Sequence, residues 1–285
     1  KIRVKKPKKV IIRLNRMQTL IEGDVIEQLA KLSSESFACI VTSPPYNLGK
    51  NYGPKVNDNK SRKEYLTWIK QVFLACKRVL TENGSIFLNM GYTNVNPWIA
   101  MDVAQVLRED FHLQNCITWV KNISIGECSH GHFKPINSKR FINPTNEMIY
   151  HFTKKGKVPI HRLAIGVPYM HKSNLKERKK KKNKTHTVKA DVRCRGNTWF
   201  IRYKTVQNRK EKGMHPASFP VELAELCIKV CVGDRKDAKI LDPFVGTGST
   251  LVATKKMGLS GTGIDINSEF LAFAQKRLMT VSSAV

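Results

Sequence analysis

Apolar and polar positions alternate in two rhythms along this chain. Nearly continuous apolar runs, bounded by turn residues, predict buried strands at Phe37–Thr42, Ser85–Asn89 and Lys239–Asp242. A short strand ends at Glu22-Gly23-Asp24, others cover about 113–120 and 146–152, and Gly261–Asp265 is the last. Between them the spacing lengthens to that of helices. Tyr65, Leu66, Ile69, Val72, Phe73, Cys76, Val79 and Leu80 mark one helix over 62–80, stopped by Asn83-Gly84. Others are expected over about Val25–Lys31, 98–108, Pro220–Cys231 and after the glycines at 246 and 248. Strands alternating with helices predict an α/β fold, with a mainly parallel sheet covered on both faces.

The rhythm fails from about 155 to 213. The chain therefore divides into a basic extension (1–16), a first α/β half (17–154), a basic insert (155–213) and a second α/β half (214–285). No internal repeat is visible. At 285 residues the length fits one large domain with a small insert.

Charge changes the picture most. Fifty Lys+Arg against 22 Asp+Glu give a formal net charge of +28. Such an excess adds nothing to core packing but attracts a polyanion. A nucleic acid fits better than a membrane surface, because no basic amphipathic helix stands out. There is no apolar run near 18 residues and no signal peptide, so no membrane association is expected. The chain starts at Lys1 rather than Met, as a trimmed sequence would. Seven cysteines without a Cys-x-x-Cys pair read as reduced, mostly buried thiols in an intracellular protein, with no metal site.

Two segments carry candidate chemistry. Asp242-Pro243-Phe244-Val245-Gly246-Thr247-Gly248-Ser249 lies between a strand and a helix. Small residues there let backbone approach a ligand, and a helix start offers free N–H donors. Asp265, ending the next strand, can accept bonds from ribose hydroxyls. A dinucleotide site is one reading, but its third glycine would fall at Leu251. Ser43-Pro44-Pro45-Tyr46 follows a predicted strand, at the edge where open α/β sheets bind ligands. The prolines have no N–H, so neighbouring carbonyls are left to point outward. Ser43 adds a hydroxyl and Tyr46 a flat face.

Together these motifs resemble those of the DNA amino-methyltransferases. Ser-Pro-Pro-Tyr looks like their catalytic motif, and Asp-Pro-Phe-x-Gly-x-Gly like their S-adenosylmethionine motif. The catalytic motif comes first, which is the circularly permuted, β-class order. Glu22-Gly23-Asp24 resembles the cofactor-adenine strand. Thr145–His151 resembles a later core strand. His215-Pro216-Ala217-Ser218-Phe219-Pro220 resembles the segment closing over the methionine end of the cofactor. The resemblance covers about 17–154 and 195–285. It implies a Rossmann-like fold with a mostly parallel seven-stranded sheet. It implies catalytic roles for Ser43, Pro44, Pro45 and Tyr46. It places Asp24, His215, Pro216, Ser218, Phe219, Asp242, Pro243, Phe244, Gly246, Thr247, Gly248, Ser249 and Asp265 around S-adenosylmethionine.

The implied reaction is direct methyl transfer to an exocyclic amine of an extruded DNA base. By resemblance, Ser43 Oγ and the Pro44 carbonyl accept the amine protons and Tyr46 stacks on the base. In this family an initial Ser tends to accompany cytosine N4 and an initial Asp adenine N6, so cytosine N4 is expected and adenine N6 is the alternative. No proline precedes a cysteine, which argues against a carbon-5 methyltransferase and a zinc deaminase. An RNA or protein methyltransferase, or a non-catalytic DNA-binding protein, remain as other readings.

Expected DNA contacts are Lys50, Lys134, Lys139, Arg140 and Lys179, Lys180, Lys181 and Lys182. Lysines mainly touch phosphates, so modest base specificity is expected. The run at 176–184, read first as a DNA contact, also reads as a nuclear import signal or a solvated loop, and 1–16 reads equally as a phosphate-contacting arm or a frayed tail. DNA is the expected partner, a homodimer is possible, and the location is the nucleus in a eukaryote or the nucleoid in a bacterium.

Overall fold

The structure is a computed structural model that describes residues 11–13, 17–53, 56–131, 133, 138–171, 192–202 and 218–282. In chain order the strands are β1 (Ile11–Arg13), β2 (Gln18–Glu22), β3 (Phe37–Thr42), β4 (Leu80–Met90), β5 (His112–Val120), β6 (Ile123–Ile125), β7 (Cys128–His130), β8 (Asn146–Thr153), β9 (Val167–Pro168), β10 (Val192–Arg193), β11 (Thr198–Phe200), β12 (Lys239–Asp242) and β13 (Ser260–Asp265). The helices are α1 (Val25–Ala30), α2 (Arg62–Val79), α3 (Ile99–Leu107), α4 (Val221–Val232), α5 (Ser249–Lys256) and α6 (Ser268–Thr280).

Nine strands form one sheet in the order β1-β2-β13-β12-β3-β4-β8-β5-β11. From β2 to β4 every pairing is parallel. β8 runs antiparallel between β4 and β5, and β1 antiparallel at the far edge. Seven strands are those expected from the sequence; the three-residue β1 and β11 extend the two edges. The late strands β12 and β13 sit between the early β2 and β3, as the permuted order requires.

Side chains alternate between the two faces. Ile86, Leu88 and Met90 of β4, with Tyr150 and Phe152 of β8, pack under α2 and α3. Phe87 and Ile149 point the other way, toward Leu223, Cys227 and Ile228 of α4. A third cluster joins Leu20 of β2 to Leu251 of α5 and Leu271 and Leu278 of α6. α2 shows why the pattern holds. Ser61 and Glu64 form a reciprocal capping box at its start, and Tyr65, Ile69, Val72, Phe73, Cys76 and Val79 all bury one face. Each such side chain contributes about 1.5–3 kcal/mol of transfer free energy.

Three features differ from the sequence reading. β4 begins at Leu80, where the backbone turns extended (φ −73°, ψ 137°) as α2 ends. Its pairing then slips: Phe37 faces Leu80 but Cys39 faces Ser85, so Asn83-Gly84 occupies an excursion inside the strand. Within the stretch read as insert, Trp199 of β11 is buried beside β5, and Trp119 Nε1 donates to the Ile201 carbonyl at 2.8 Å. The cysteines are not mostly buried. Cys39, Cys76 and Cys227 are, while Cys116, Cys128 and Cys194 are exposed.

No helix among the described residues is long and apolar enough to cross a membrane.

Candidate active site

The parallel strands β2, β13, β12 and β3 all end at one edge of the sheet, and the loops leaving them enclose a cavity of about 290 Å³. Gly23 and Asp24 come from the end of β2, and Asp265 and Ile266 from β13. Pro243 and Phe244 follow β12, and Ser43, Pro44, Pro45 and Tyr46 follow β3. The two motifs thus meet in one cleft although about two hundred positions separate them.

The loop after β12 is held rigidly. Asp242 is buried and accepts bonds from Thr42 Oγ1 (2.7 Å), Thr250 Oγ1 (2.6 Å) and Phe244 N (3.1 Å). Burial pushes its carboxyl up to about 6. Its donors tie β12 to β3, so it shapes the loop from behind the cavity. Gly246 N donates to Asp265 Oδ2 at 2.9 Å, and Asn267 N donates to Oδ1 at the same distance. Burial also raises Asp265 to about 6 against these backbone bonds. Gly248 caps α5 with φ +84°; a Cβ there would stand 2.9 Å from Ala274 Cβ. The Thr247 carbonyl accepts from Arg277 at 2.7 Å, and Ser249 is buried as the first residue of α5. Asp242, Gly246, Thr247, Gly248 and Ser249 therefore build the loop, while Pro243, Phe244 and Asp265 face the cavity.

Asp24 lines the cavity, yet one of its carboxylate oxygens also caps α1, accepting from Ile26 N and Glu27 N. Phe219 is buried against the α4 face, and Ser218 is exposed; neither reaches the cavity. His215 and Pro216 lie outside the described residues.

The Ser43–Tyr46 turn has an unexpected polar floor. Tyr46 Oη lies 2.6 Å from Ser43 Oγ and donates to Glu147 Oε2 at 3.1 Å. Asn89 Nδ2 donates to Tyr46 Oη (2.8 Å) and to Glu147 Oε2 (2.7 Å). Lys121 Nζ donates to Glu147 Oε1 at 3.0 Å. Burial, then the Glu147 charge, hold the Tyr46 phenol well above its ordinary range, so it stays protonated. Tyr65 Oη donates to the Pro45 carbonyl at 2.8 Å. Among the described residues, no hydrogen bond ends on the Pro44 carbonyl.

The following loop is folded around Asp58. Its carboxylate accepts from the backbone N–H groups of Asn47, Leu48 and Lys50 at 2.8–3.1 Å. This brings Tyr52, Asp58 and Lys60 into the cavity wall beside Trp68 and Phe270. Trp68 meets Phe244 edge-on at 5.7 Å, and Lys60 Nζ lies 5.5 Å over the Trp68 ring.

Asn89, Lys121, Glu147 and Asp58 were not singled out from sequence. The one signal available was position. Asn89 is a polar end to an apolar run, and Glu147 opens the strand beside it. Of the expected DNA contacts, Lys50 is half-buried beside the cavity loop, and Lys139 and Arg140 are exposed. Lys134 and Lys179, Lys180, Lys181 and Lys182 lie outside the described residues.

This chain is similar to known proteins. The chain is 29% identical to the type II methyltransferase M.ScaI of Streptomyces caespitosus, over 91% of this chain and 80% of that one. It is 27% identical to the DNA adenine methyltransferase YhdJ of Escherichia coli, over 94% and 85%. The solved PvuII DNA methyltransferase, cytosine-N4-specific, superposes with a TM-score of 0.69 at 17% identity, covering 95% of this chain and 89% of that one. That likeness establishes the fold. Other solved proteins of this fold include complexes with S-adenosyl-L-methionine. The model of the DNA methylase family, the N6/N4 methyltransferases, matches residues 37–276. Because that match spans both motif loops and the sheet that joins them, this chain belongs to the DNA methylase family.

Proposed function

We infer that this DNA methylase transfers a methyl group from S-adenosylmethionine to the N4 amine of cytosine in DNA. The carrying observation is the single cavity shared by Ser43-Pro44-Pro45-Tyr46 and by Pro243, Phe244 and Asp265. The residues fit the cofactor. Asp265 offers carboxylate oxygens, and Phe244, Trp68, Ile266 and Phe270 offer apolar faces for a flat adenine. Bound there, S-adenosylmethionine supplies a methyl group on a positively charged sulfur.

The exocyclic amine of a base is a weak nucleophile, because its lone pair is delocalised into the ring. Ser43 Oγ and the Pro44 carbonyl accept hydrogen bonds from its two N–H groups and draw the nitrogen toward tetrahedral geometry. The Tyr46 ring stacks on the base, which has to leave the duplex to enter the cavity. Holding nitrogen and methyl in line supplies much of the rate. Lys50 on the cavity loop and the exposed Lys139 and Arg140 contact phosphates.

Adenine N6 is the second reading, and the likeness to YhdJ favours it. Labelled methyl transfer to duplex DNA, RNA and protein, followed by mass spectrometry of the nucleosides, tests both. N4-methylcytosine is expected. N6-methyladenine alone would reverse the choice of base, and label in RNA or protein but not DNA would end the reading.

A further inference from the structure

We propose that Glu147 is the terminal acceptor of the proton released by the amine, reached through Ser43 and Tyr46. The inference rests on the amine-methylation reading above and adds where the proton goes.

Proton direction follows from counting bonds at Tyr46 Oη. A phenol has one hydrogen and two lone pairs. The hydrogen goes to Glu147 Oε2 at 3.1 Å, and Asn89 Nδ2 donates to the oxygen at 2.8 Å. Ser43 Oγ, at 2.6 Å, is therefore the second donor to Tyr46. Asn89 Nδ2 also donates to Ser43 Oγ, at 3.5 Å, which leaves one serine lone pair to accept from the amine. Every hydrogen in the row points from the cavity toward Glu147.

When the amine nitrogen takes the methyl group, an N–C bond forms, the S–C bond breaks and the sulfur keeps the electron pair. The nitrogen then carries one proton too many. That proton moves to Ser43 Oγ, the serine proton to Tyr46 Oη, and the tyrosine proton to the Glu147 carboxylate. Base, serine and tyrosine end neutral, and Glu147 ends as a carboxylic acid. Its other oxygen accepts from Lys121 Nζ, and the Glu147 side chain is itself 16% exposed, so the carboxylic acid can release its proton to water. The groups facing Glu147 are Tyr46 and Tyr52 from the cavity loop, Asn89 from β4 and Lys121 at the end of β5.

The test is single-turnover methylation of duplex DNA by the full chain, its Glu147→Gln and Tyr46→Phe variants, and the double variant. Glu147→Gln keeps an acceptor for Tyr46 but cannot take the proton. A loss of about 100-fold is expected for each single variant, within the range for proton transfer by a positioned group. The double variant should lose no more than either single one. Calorimetric affinities for S-adenosylmethionine and DNA should stay at parent values. A Glu147→Gln variant as fast as the parent, or single losses that multiply in the double variant, would overturn the relay. If the parent itself methylates no amine in DNA, the functional reading fails instead.

Discussion

Thr42 Oγ1 donates to the buried carboxylate of Asp242 at 2.7 Å, from 200 positions away in the chain. Thr250 donates to the other oxygen at 2.6 Å. These bonds lock the ends of β3 and β12 together, and with them the loops that carry the two motifs. Thr42→Val keeps the shape and removes one donor from a buried acceptor. It should cost about 1–3 kcal/mol of stability. Urea unfolding measures this directly, and a variant as stable as the parent would show that Asp242 is satisfied without Thr42.

Gly91 lies where the relay passes behind Tyr46. A Cβ there would stand 2.7 Å from Tyr46 Cε2 and 3.1 Å from Glu147 Cδ. Gly91→Ala should therefore push the Tyr46 ring into the cavity. Methyl transfer should fall at least tenfold, while affinity for S-adenosylmethionine alone stays near the parent value. Parent-like kinetics in the alanine variant would mean that the ring can give way at no cost.

Gly248 combines two constraints, a left-handed backbone and contact with α6. Gly248→Ala should lower stability by about 1–2 kcal/mol from the backbone alone, with more from its clash with Ala274. Adding Ala274→Gly should recover only the steric part. Complete recovery in the double variant, read by thermal unfolding, would show that the backbone tolerates a side chain there.

Asp265 and Asp242 should give an uncommon pH response. Both carboxyls are raised from 3.8 to about 6 when folded. Below pH 3.8 both folded and unfolded chains are protonated. Between 3.8 and about 6 the unfolded chain has lost a proton that the folded chain keeps. Stability from these groups is therefore greatest at low pH and falls as pH rises through that window. Cofactor affinity should move the opposite way, weakening below about pH 6 as Asp265 takes up a proton. Asp265→Asn should remove the affinity trend and about half of the stability trend, with Asp242 supplying the rest; parallel slopes in parent and variant would rule out Asp265 as a source of either.

Lys139 and Arg140 are exposed on the chain that leads into β8, eight and seven residues before Glu147. Replacing both by alanine should weaken duplex binding similarly across sequences. The slope of log affinity against log salt should fall by about 2. An unchanged slope would remove them from the phosphate-contacting set.

Much of the sheet was legible because its central strands are buried on both faces, and continuous apolar runs with turn boundaries mark such strands. β11 was not. Thr198-Trp199-Phe200 is too short for a period to register, and it lies in a lysine-rich stretch. The start of β4 was hidden because Leu80 continues the apolar spacing of α2 while already turning extended. In the site, the motif loops could be read as contiguous residues. Asn89, Glu147 and Asp58 could not, because their roles depend on sideways neighbours. Nothing in a linear pattern places β8 antiparallel beside β4, and only that placement brings Glu147 to Tyr46.

The interleaving of β12 and β13 between β2 and β3 has a consequence for biosynthesis. As the polypeptide leaves the ribosome, β3 is made long before its partner β12, and β2 waits longer still for β13. Until residues 239–265 emerge, both strands present unpaired hydrogen-bonding edges, the kind of surface that invites self-association. Long-range pairing of this sort also slows folding. Production of this protein should therefore be sensitive to chaperone supply and growth temperature, and chains released early should accumulate as aggregate.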